Sequence, residues 1–440
     1  MKVLLVYPPF CTPTVPPYSI TYLASFLSAN SDLQVKCLDL NAKYHRRKFG
    51  ALYKTMEKAK NNLVAYSELL EKYASKAKKA YRENVTSADA DPEIFEELLG
   101  LIRKEGPDAV GFSLVYNSQV HYALKLMNEL SKNGIDCVVG GPAAGELVAK
   151  KASVLKDEVE LLRYLARREK HAAAYSLDFG CYPEEDYLSK EMIYPLRSSY
   201  GCRHKACAFC THHGNVPYRE IDVNDIKKTA LKNKMKNIFF IDDTIPASRL
   251  SELAGMLGPL GVRWWCQTRP TRDLLGLFGV LRASGLVAIS FGVESGNQRM
   301  LDSMGKGTRV GDVAKVLSES HDAGIRNIVF IMYGFPGEDE SSFSDTLNFL
   351  RNNRGSLDIV SASQFGLQKG SRVHDNPGEY GVFDIRVRGA ELGEIIRYRT
   401  KSGLSEKQTR VLKEDAAKEM RAMNRMPKIF CLLKEQSLFF

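Results

Sequence analysis

Short apolar runs alternate with longer stretches of three- and four-residue periodicity along most of the chain. Val3–Tyr7 is a continuous apolar run closed by Pro8-Pro9, the mark of a buried strand. Ile20, Leu23, Ala24 and Leu27 then recur at helical spacing, and Val35–Asp39 returns to a strand pattern. Ala109–Ser113 and Cys137–Gly140 are further apolar runs, separated by a helical stripe through Ala123, Leu124, Met127 and Leu130. Strand alternating with helix predicts a parallel, doubly wound sheet over residues 1–150, with ligands expected beyond its carboxyl ends, near Pro8, Ser113 and Gly140. Residues 42–106 interrupt that rhythm. Phe49, Leu52, Tyr53, Met56, Leu63, Tyr66, Leu69, Leu70 and Tyr73 mark an amphipathic helix or helical pair with lysines between.

A charged stretch, 151–190, reads as a linker, although Leu155, Val159, Leu162 and Leu165 give part of it an apolar stripe. The alternation then resumes over 191–370. Runs beginning at Ile193, Lys236, Val262, Val287, Ile328 and Ile359 predict six strands separated by helices, too few to close an eight-stranded barrel. A partial barrel brings polar strand ends around one open mouth. Residues 371–440 form a C-terminal extension, with helices expected around Ile395 and Ala416.

Composition narrows the setting. A hydrophobic fraction of 44% over 440 residues allows two or three cores, and no apolar run approaches the ~18–20 residues of a membrane span. The first strand is too short for a signal peptide. Nine cysteines, dispersed except for one cluster, predict a reducing cytoplasm rather than a disulfide framework. A net charge of +10 suits an acidic partner, but no RNP-like motif or repeated finger spacing points to nucleic acid.

The chemistry concentrates at Gly201–Cys210. Cys202, Cys207 and Cys210 stand on one polar loop and can hold three irons of a [4Fe–4S] cluster, whose usual complement is four cysteines. The fourth iron is then open to a ligand with an amine and a carboxylate. A Cys3His zinc site is the alternative, since His212 and His213 follow directly, and a zinc-binding nucleic-acid protein would suit the basic charge.

Glu294-Ser295-Gly296 with Gln298-Arg299, and Gly334-Phe335-Pro336-Gly337-Glu338, complete a pattern that resembles the radical S-adenosylmethionine (SAM) enzymes. The pieces at Pro8-Pro9, Tyr22-Leu23-Ala24, Asp39-Leu40-Asn41, Val110–Ser113 and Gly140-Gly141-Pro142 resemble the cobalamin-binding domain of the class B members. The resemblance implies an α/β chain in which a Rossmann-like cobalamin domain precedes a partial (β/α)6 barrel. It also implies roles. Cys202, Cys207 and Cys210 would ligate the cluster, and Phe209 would lie against the adenine. Asp242 or Asp243 would accept from the methionine amine, while Glu294 and Ser295 would meet the ribose and carboxylate. Arg269 would pair with the carboxylate or serve in a structural ion pair. Pro8, Pro9, Ser113, Gly140, Gly141 and Pro142 would border cobalamin. No Asp-x-His-x-x-Gly occurs, so that cofactor would lack a lower histidine.

Such an enzyme cleaves SAM reductively to a 5′-deoxyadenosyl radical, takes hydrogen from an unreactive carbon, and installs a methyl group drawn from a second SAM. The loop spacing resembles members that modify peptides or proteins, including those acting on methyl-coenzyme M reductase. A reductase or ferredoxin-type electron donor is implied. A methylthiotransferase is the second enzyme reading. It would need N-terminal cluster ligands, yet Cys37 and Cys137 sit in apolar strands and only Cys11 is on a loop.

Overall fold

The computed structural model describes residues 1–86, 89, 91–167, 176–211, 216–390 and 393–439. Two compact units emerge. Met1–Pro195 with Lys228–Met235 forms the first, and Leu196–Lys227, Lys236–Ala390 and Glu394–Phe440 form the second.

The first unit is built on a five-stranded sheet: β1 (Lys2–Tyr7), β2 (Gln34–Asp39), β3 (Ala109–Ser113), β4 (Asp136–Gly140) and β5 (Ser153–Leu155). The order is β2-β1-β3-β4-β5 and every pairing is parallel. β1 and β3 are central and almost wholly buried, which is why both read as unbroken apolar runs. The chain winds outward in opposite directions from these two strands, so the sheet's switch point lies between them. β5 and the helix Glu158–Ala166 fall inside the stretch read as a linker. A three-residue edge strand among charged neighbours has too little alternation to announce itself.

The insertion is four helices, not one or two: Leu40–Lys48, Gly50–Ala59, Leu63–Thr86 and Pro92–Glu105. The breaks fall at Phe49-Gly50, Asn61-Asn62 and Asp91-Pro92, residues that end or start helices. Tyr44, His45, Phe49, Tyr53 and Tyr73 are buried in their core. The His45 Nδ1 lies 2.5 Å from the Tyr73 hydroxyl, and its ring packs against that of Phe10 after β1, centres 4.4 Å apart and planes tilted by 53°. Burial keeps this imidazole neutral, its pKa lowered to about 3.

The second unit carries the larger sheet. Its strands are β6 (Tyr194–Leu196, at the boundary), β9 (Asn237–Phe240), β10 (Arg263–Thr268), β11 (Leu286–Glu294), β12 (Arg326–Tyr333) and β13 (Ile359–Gln364). A short antiparallel pair, β7 (Ser199–Tyr200) and β8 (Arg219–Glu220), brackets the cysteine loop. The six strands run in the order β13-β12-β11-β10-β9-β6, with helices between successive strands and β6 and β13 at the two open edges. This is the expected partial barrel. β11 is buried along its whole length.

The extension adds a hairpin, β14 (Val382–Ala390) and β15 (Gly393–Thr400), and the helix Glu406–Met423. Ile395 therefore lies on a strand, not on the expected helix. Ile396 and Tyr398 pack inward while Ile395, Arg397 and Arg399 are exposed, a period of two that a charged window had hidden. Among the described residues no helix is long and apolar enough to cross a membrane.

Candidate active site

The cysteine loop begins where two serines are tied down. Asp242, just beyond β9, accepts from the Ser198 backbone N–H (2.9 Å), the Ser199 N–H (2.6 Å), and the hydroxyls of Ser198 (2.8 Å) and Ser199 (2.7 Å). Arg249 is almost fully buried on the helix Ala247–Leu257, and its Nη2 donates to the Ser198 carbonyl at 2.9 Å. These bonds fix the chain three residues before Cys202. Most of those to Asp242 fall on Oδ1, while Oδ2 accepts, among the described residues, only from the Ser198 N–H, so Asp242 clamps the start of the loop. Burial raises its pKa, while the donors around it favour the carboxylate. Asp243 is half-buried beside it, and its backbone carbonyl accepts from Gln267 at 3.0 Å.

The turn Met304–Gly307 holds the loop from the other side. Three successive carbonyls each take a different partner. That of Met304 accepts from the Ala208 N–H (2.8 Å), that of Gly305 lies 2.8 Å from the His204 Nε2, and that of Lys306 accepts from Arg269. Gly305 has φ of 64°, and a Cβ there would lie 2.5 Å from the Ala206 carbonyl oxygen, so only glycine allows this approach. Val373 N–H and Arg372 donate to the carbonyls of Ala208 (3.1 Å) and Lys205 (2.9 Å). Ala208 is buried, and Phe209 packs against the same apolar cluster.

Charge gathers around the thiols. Cys202, Cys207 and Cys210 are all half-buried. Burial pushes the Cys207 thiol up, Lys306 and Arg269 pull it down, and Glu294 and Cys202 add to the rise, so all five groups share one neighbourhood. Burial lowers Arg269, which feels both Cys207 and Cys202, and lowers His204. The Arg269 Nε is buried without a hydrogen-bond partner. Lys306 is only 4% exposed and bonds the 8% exposed Glu294 at 2.9 Å, with its ammonium 5.9 Å from the Phe209 ring centre.

Glu294 reaches this position through local irregularity. The β11–β12 register shifts between Gly292 and Glu294, and Glu294 has φ of 67°. A bulge re-aims the side chain at the end of the strand. Ser295 goes elsewhere: its hydroxyl lies 3.0 Å from that of Thr346 and accepts from the Asn297 N–H. These bonds tie the end of the strand to the helix Glu340–Asn352.

Three thiols beside a buried lysine and a half-buried arginine fit an anionic iron–sulfur cluster, and an arginine with one unpartnered N–H fits a carboxylate-bearing ligand next to it. Among the described residues no three His, Cys, Asp or Glu side chains converge as they would on one ion. A cubane needs no such convergence, because each cysteine takes its own iron. His212 and His213, the partners of the zinc alternative, lie outside the described residues. Lys306, Arg249 and the role of His204 were not found from sequence. Lys306 stands between two glycines after a helix, with no spacing that marks it as part of a strand-end site.

The expected cobalamin residues come together at the switch point of the first unit. Gln119 is fully buried and joins the loops after β1 and β3, donating to the Pro8 carbonyl (2.8 Å) and accepting from the N–H groups of Val115 (2.8 Å) and Tyr116 (2.9 Å). Pro8 and Pro9 are buried, and the Ser113 hydroxyl donates to Ser19 at 2.8 Å. Gly140 is half-buried, and Gly141 and Pro142 are exposed. Glycine at 141 has a reason within the fold itself. With φ of 112°, its Cβ would lie 2.3 Å from the Leu114 carbonyl oxygen. The loop after β3 fills that space, so Gly141 preserves the fold of the rim. The exposed rim is backbone and proline, a surface suited to a large ligand held by shape.

Residues 196–350 match the family model of the radical SAM superfamily. A 188-residue stretch is 30% identical to bacteriochlorophyllide d C-12(1)-methyltransferase of Chlorobaculum tepidum, covering 38% of this chain and 40% of that relative. The chain thus spans under half the length of that curated relative. The fold is similar to the cobalamin-dependent SAM radical enzyme OxsB, solved with aqua-cobalamin, with a TM-score of 0.61 at 16% identity over 96% of this chain and 67% of that one. It is similar also to the radical SAM methyltransferase TsrM of Kitasatospora setae, solved with cobalamin and a [4Fe–4S] cluster, with a TM-score of 0.57 at 13% identity over 87% and 76%. Residues 196–350, with the cysteine loop at their head, thus match the radical SAM superfamily, and the fold of the chain is similar to that of the two solved cobalamin-dependent enzymes.

Proposed function

We propose that the protein is a cobalamin-dependent radical SAM methyltransferase that acts on an unactivated carbon and consumes two SAM per methyl group. The observation that carries this reading is the combination in one chain of a radical SAM segment with a doubly wound unit of order β2-β1-β3-β4-β5. The relative's methyltransferase activity and the cobalamin held by the structural neighbours support it. When bound, the cluster supplies the electron that cleaves SAM, and cobalamin carries the methyl group.

The chain's own residues position and insulate these groups. Cys202, Cys207 and Cys210 hold three irons. Arg269 and Lys306 offset negative charge, and Glu294, Asp243 and Phe209 border the SAM site. The backbone rim of Pro8-Pro9 and Gly140-Gly141-Pro142 borders cobalamin. The acceptor is a peptide or protein, with methyl-coenzyme M reductase one candidate, and a reductase or ferredoxin supplies electrons. Both follow from the resemblance of the loop.

Product analysis after anaerobic reconstitution with hydroxocobalamin tests the reading. Turnover should release S-adenosylhomocysteine and 5′-deoxyadenosine in about equal amounts, with a deuterated methyl group passing from SAM to the acceptor. An acceptor that supports 5′-deoxyadenosine formation yet gains no SAM-derived methyl group overturns it. Metal analysis separates the alternatives: about four irons for this reading, about twice that for a methylthiotransferase, and zinc for a Cys3His site.

A further inference from the structure

A cleft of about 600 Å³ lies in the second unit where the hairpin and the last long helix meet the carboxyl end of β12. Gly334 forms part of its wall. Arg397, Tyr398 and Arg399 on β15 and Lys407 and Arg410 at the start of the helix Glu406–Met423 form much of the rest. That volume suits a metabolite-sized group.

The charges in this cleft are unevenly matched. Arg397 is held by Glu406 through two bonds of 2.8 and 3.0 Å. Arg399 is 4.0 Å from Asp384, whose two oxygens already accept from Arg386 at 2.9 Å each. Lys407 and Arg410 have no acidic partner among the described residues. Two separate elements therefore turn surplus cations toward one concavity, where field lines concentrate. Thr409, between Lys407 and Arg410, is fully buried, and its hydroxyl has no hydrogen-bond partner. It sits at the Gly334 wall, 3.0 Å from where a Cβ on Gly334 would be.

We propose that this cleft anchors the acceptor substrate through clustered carboxylates, an inference that rests on the methyltransferase reading only for the word substrate. Guanidinium forks match planar carboxylates bidentately, and the helix start adds a favourable dipole. The cleft is also joined to the reactive end of the sheet. Tyr398 and Ile396 pack into the apolar cluster that contains Phe335, Phe365 and Ala208 and that supports Phe209 of the cysteine loop. A carboxylate held by Arg399 and Arg410 would tether its parent molecule at the end of the sheet where the cysteines stand.

Calorimetric titration of the full chain without turnover tests this, with citrate, pentaglutamate and pentaglutamine as probes. Citrate or pentaglutamate should bind one per chain and more weakly as salt rises. The Arg399→Gln/Arg410→Gln variant should lose roughly tenfold or more in affinity, while Arg309→Gln/Lys315→Gln, with the same change in net charge at exposed positions outside the cleft, should bind as the parent does. Circular dichroism and iron content should match the parent in both variants. Tighter binding of pentaglutamate assigns the carboxylates to an acidic peptide, and tighter binding of citrate assigns them to a small molecule. The proposal is overturned if neither binds, if pentaglutamine binds equally, or if both variants lose affinity alike. Because no methyl transfer is involved, carboxylate binding with failed product stoichiometry would retain the cleft and remove the methyltransferase reading, and the reverse result would do the opposite.

Discussion

The carboxyl ends of the two parallel sheets solve the same problem with opposite means. In the first unit, Gln119, Ser19 and the Leu114 carbonyl satisfy or fill what the strand ends present, leaving an exposed rim of backbone and proline. In the second, a buried lysine and a half-buried arginine stand beside three thiols, and one guanidinium N–H is left without a protein partner. The first end is complete without a ligand. The second pairs Lys306 with Glu294 but leaves a buried N–H of Arg269 whose desolvation is costly unless an acceptor joins it. A strand end that is chemically incomplete announces a reactive group, whereas a complete one announces at most a surface.

The largest test breaks the second end outright. Replacing Cys202, Cys207 and Cys210 together with alanine should abolish iron–sulfur absorbance and all SAM cleavage, since these are its protein ligands. Retained iron with continued 5′-deoxyadenosine formation would reject the assignment. Lys306→Met should come next. Removing the ammonium leaves Glu294 buried and unpaired, a loss of about 3–5 kcal/mol read from denaturant unfolding. Adding Glu294→Gln should recover much of it, and a double variant no more stable than the single one would show that the pair is not coupled.

A pH titration of stability sharpens the contrast within the second unit. Burial raises the Glu338 pKa to about 7, so the folded chain keeps a proton there that the unfolded chain releases near 4.5. The native state binds more protons across that window. Stability should therefore fall as pH rises from about 4.5 to 7 and level off above it, by roughly 3 kcal/mol for this group. Asp39 in the first unit, raised to about 7 by burial, contributes in the same direction. Glu338→Gln should flatten the slope, and an unchanged slope would place the titration elsewhere. The smallest effect tests the first end. Gly141→Ala should cost about 1–3 kcal/mol through its positive φ and the Leu114 carbonyl, with cluster content unchanged. Unaltered stability would mean that the rim yields easily.

The legible parts of the chain were those written in residue type and period. The parallel sheets followed from buried strands such as Val3–Tyr7 and Val287–Glu294, and the cluster loop followed from rare residues at close spacing. The illegible parts depend on which atom a side chain finally meets. Asp242 and Asp243 are indistinguishable in sequence, yet only the first is tied to Ser198 and Ser199. Ser295 follows Glu294 directly, but a bulge turns their side chains to different partners. Lys306 is an ordinary surface residue type that the fold buries. Gly141 has a neighbour that sequence does not show, because only the folded loop places the Leu114 carbonyl against it.

The turn at 304–307 bears on how such a site can be rebuilt elsewhere. Its three carbonyls read the cysteine loop and Arg269 through main-chain oxygen alone, so the mould for the loop is largely indifferent to the side chains around it. A designer who grafts residues 202–210 onto a foreign barrel transfers the ligands without their jig. The smallest portable piece is discontinuous: the loop, an arginine at the position of Arg269, and a turn with glycine where Gly305 stands.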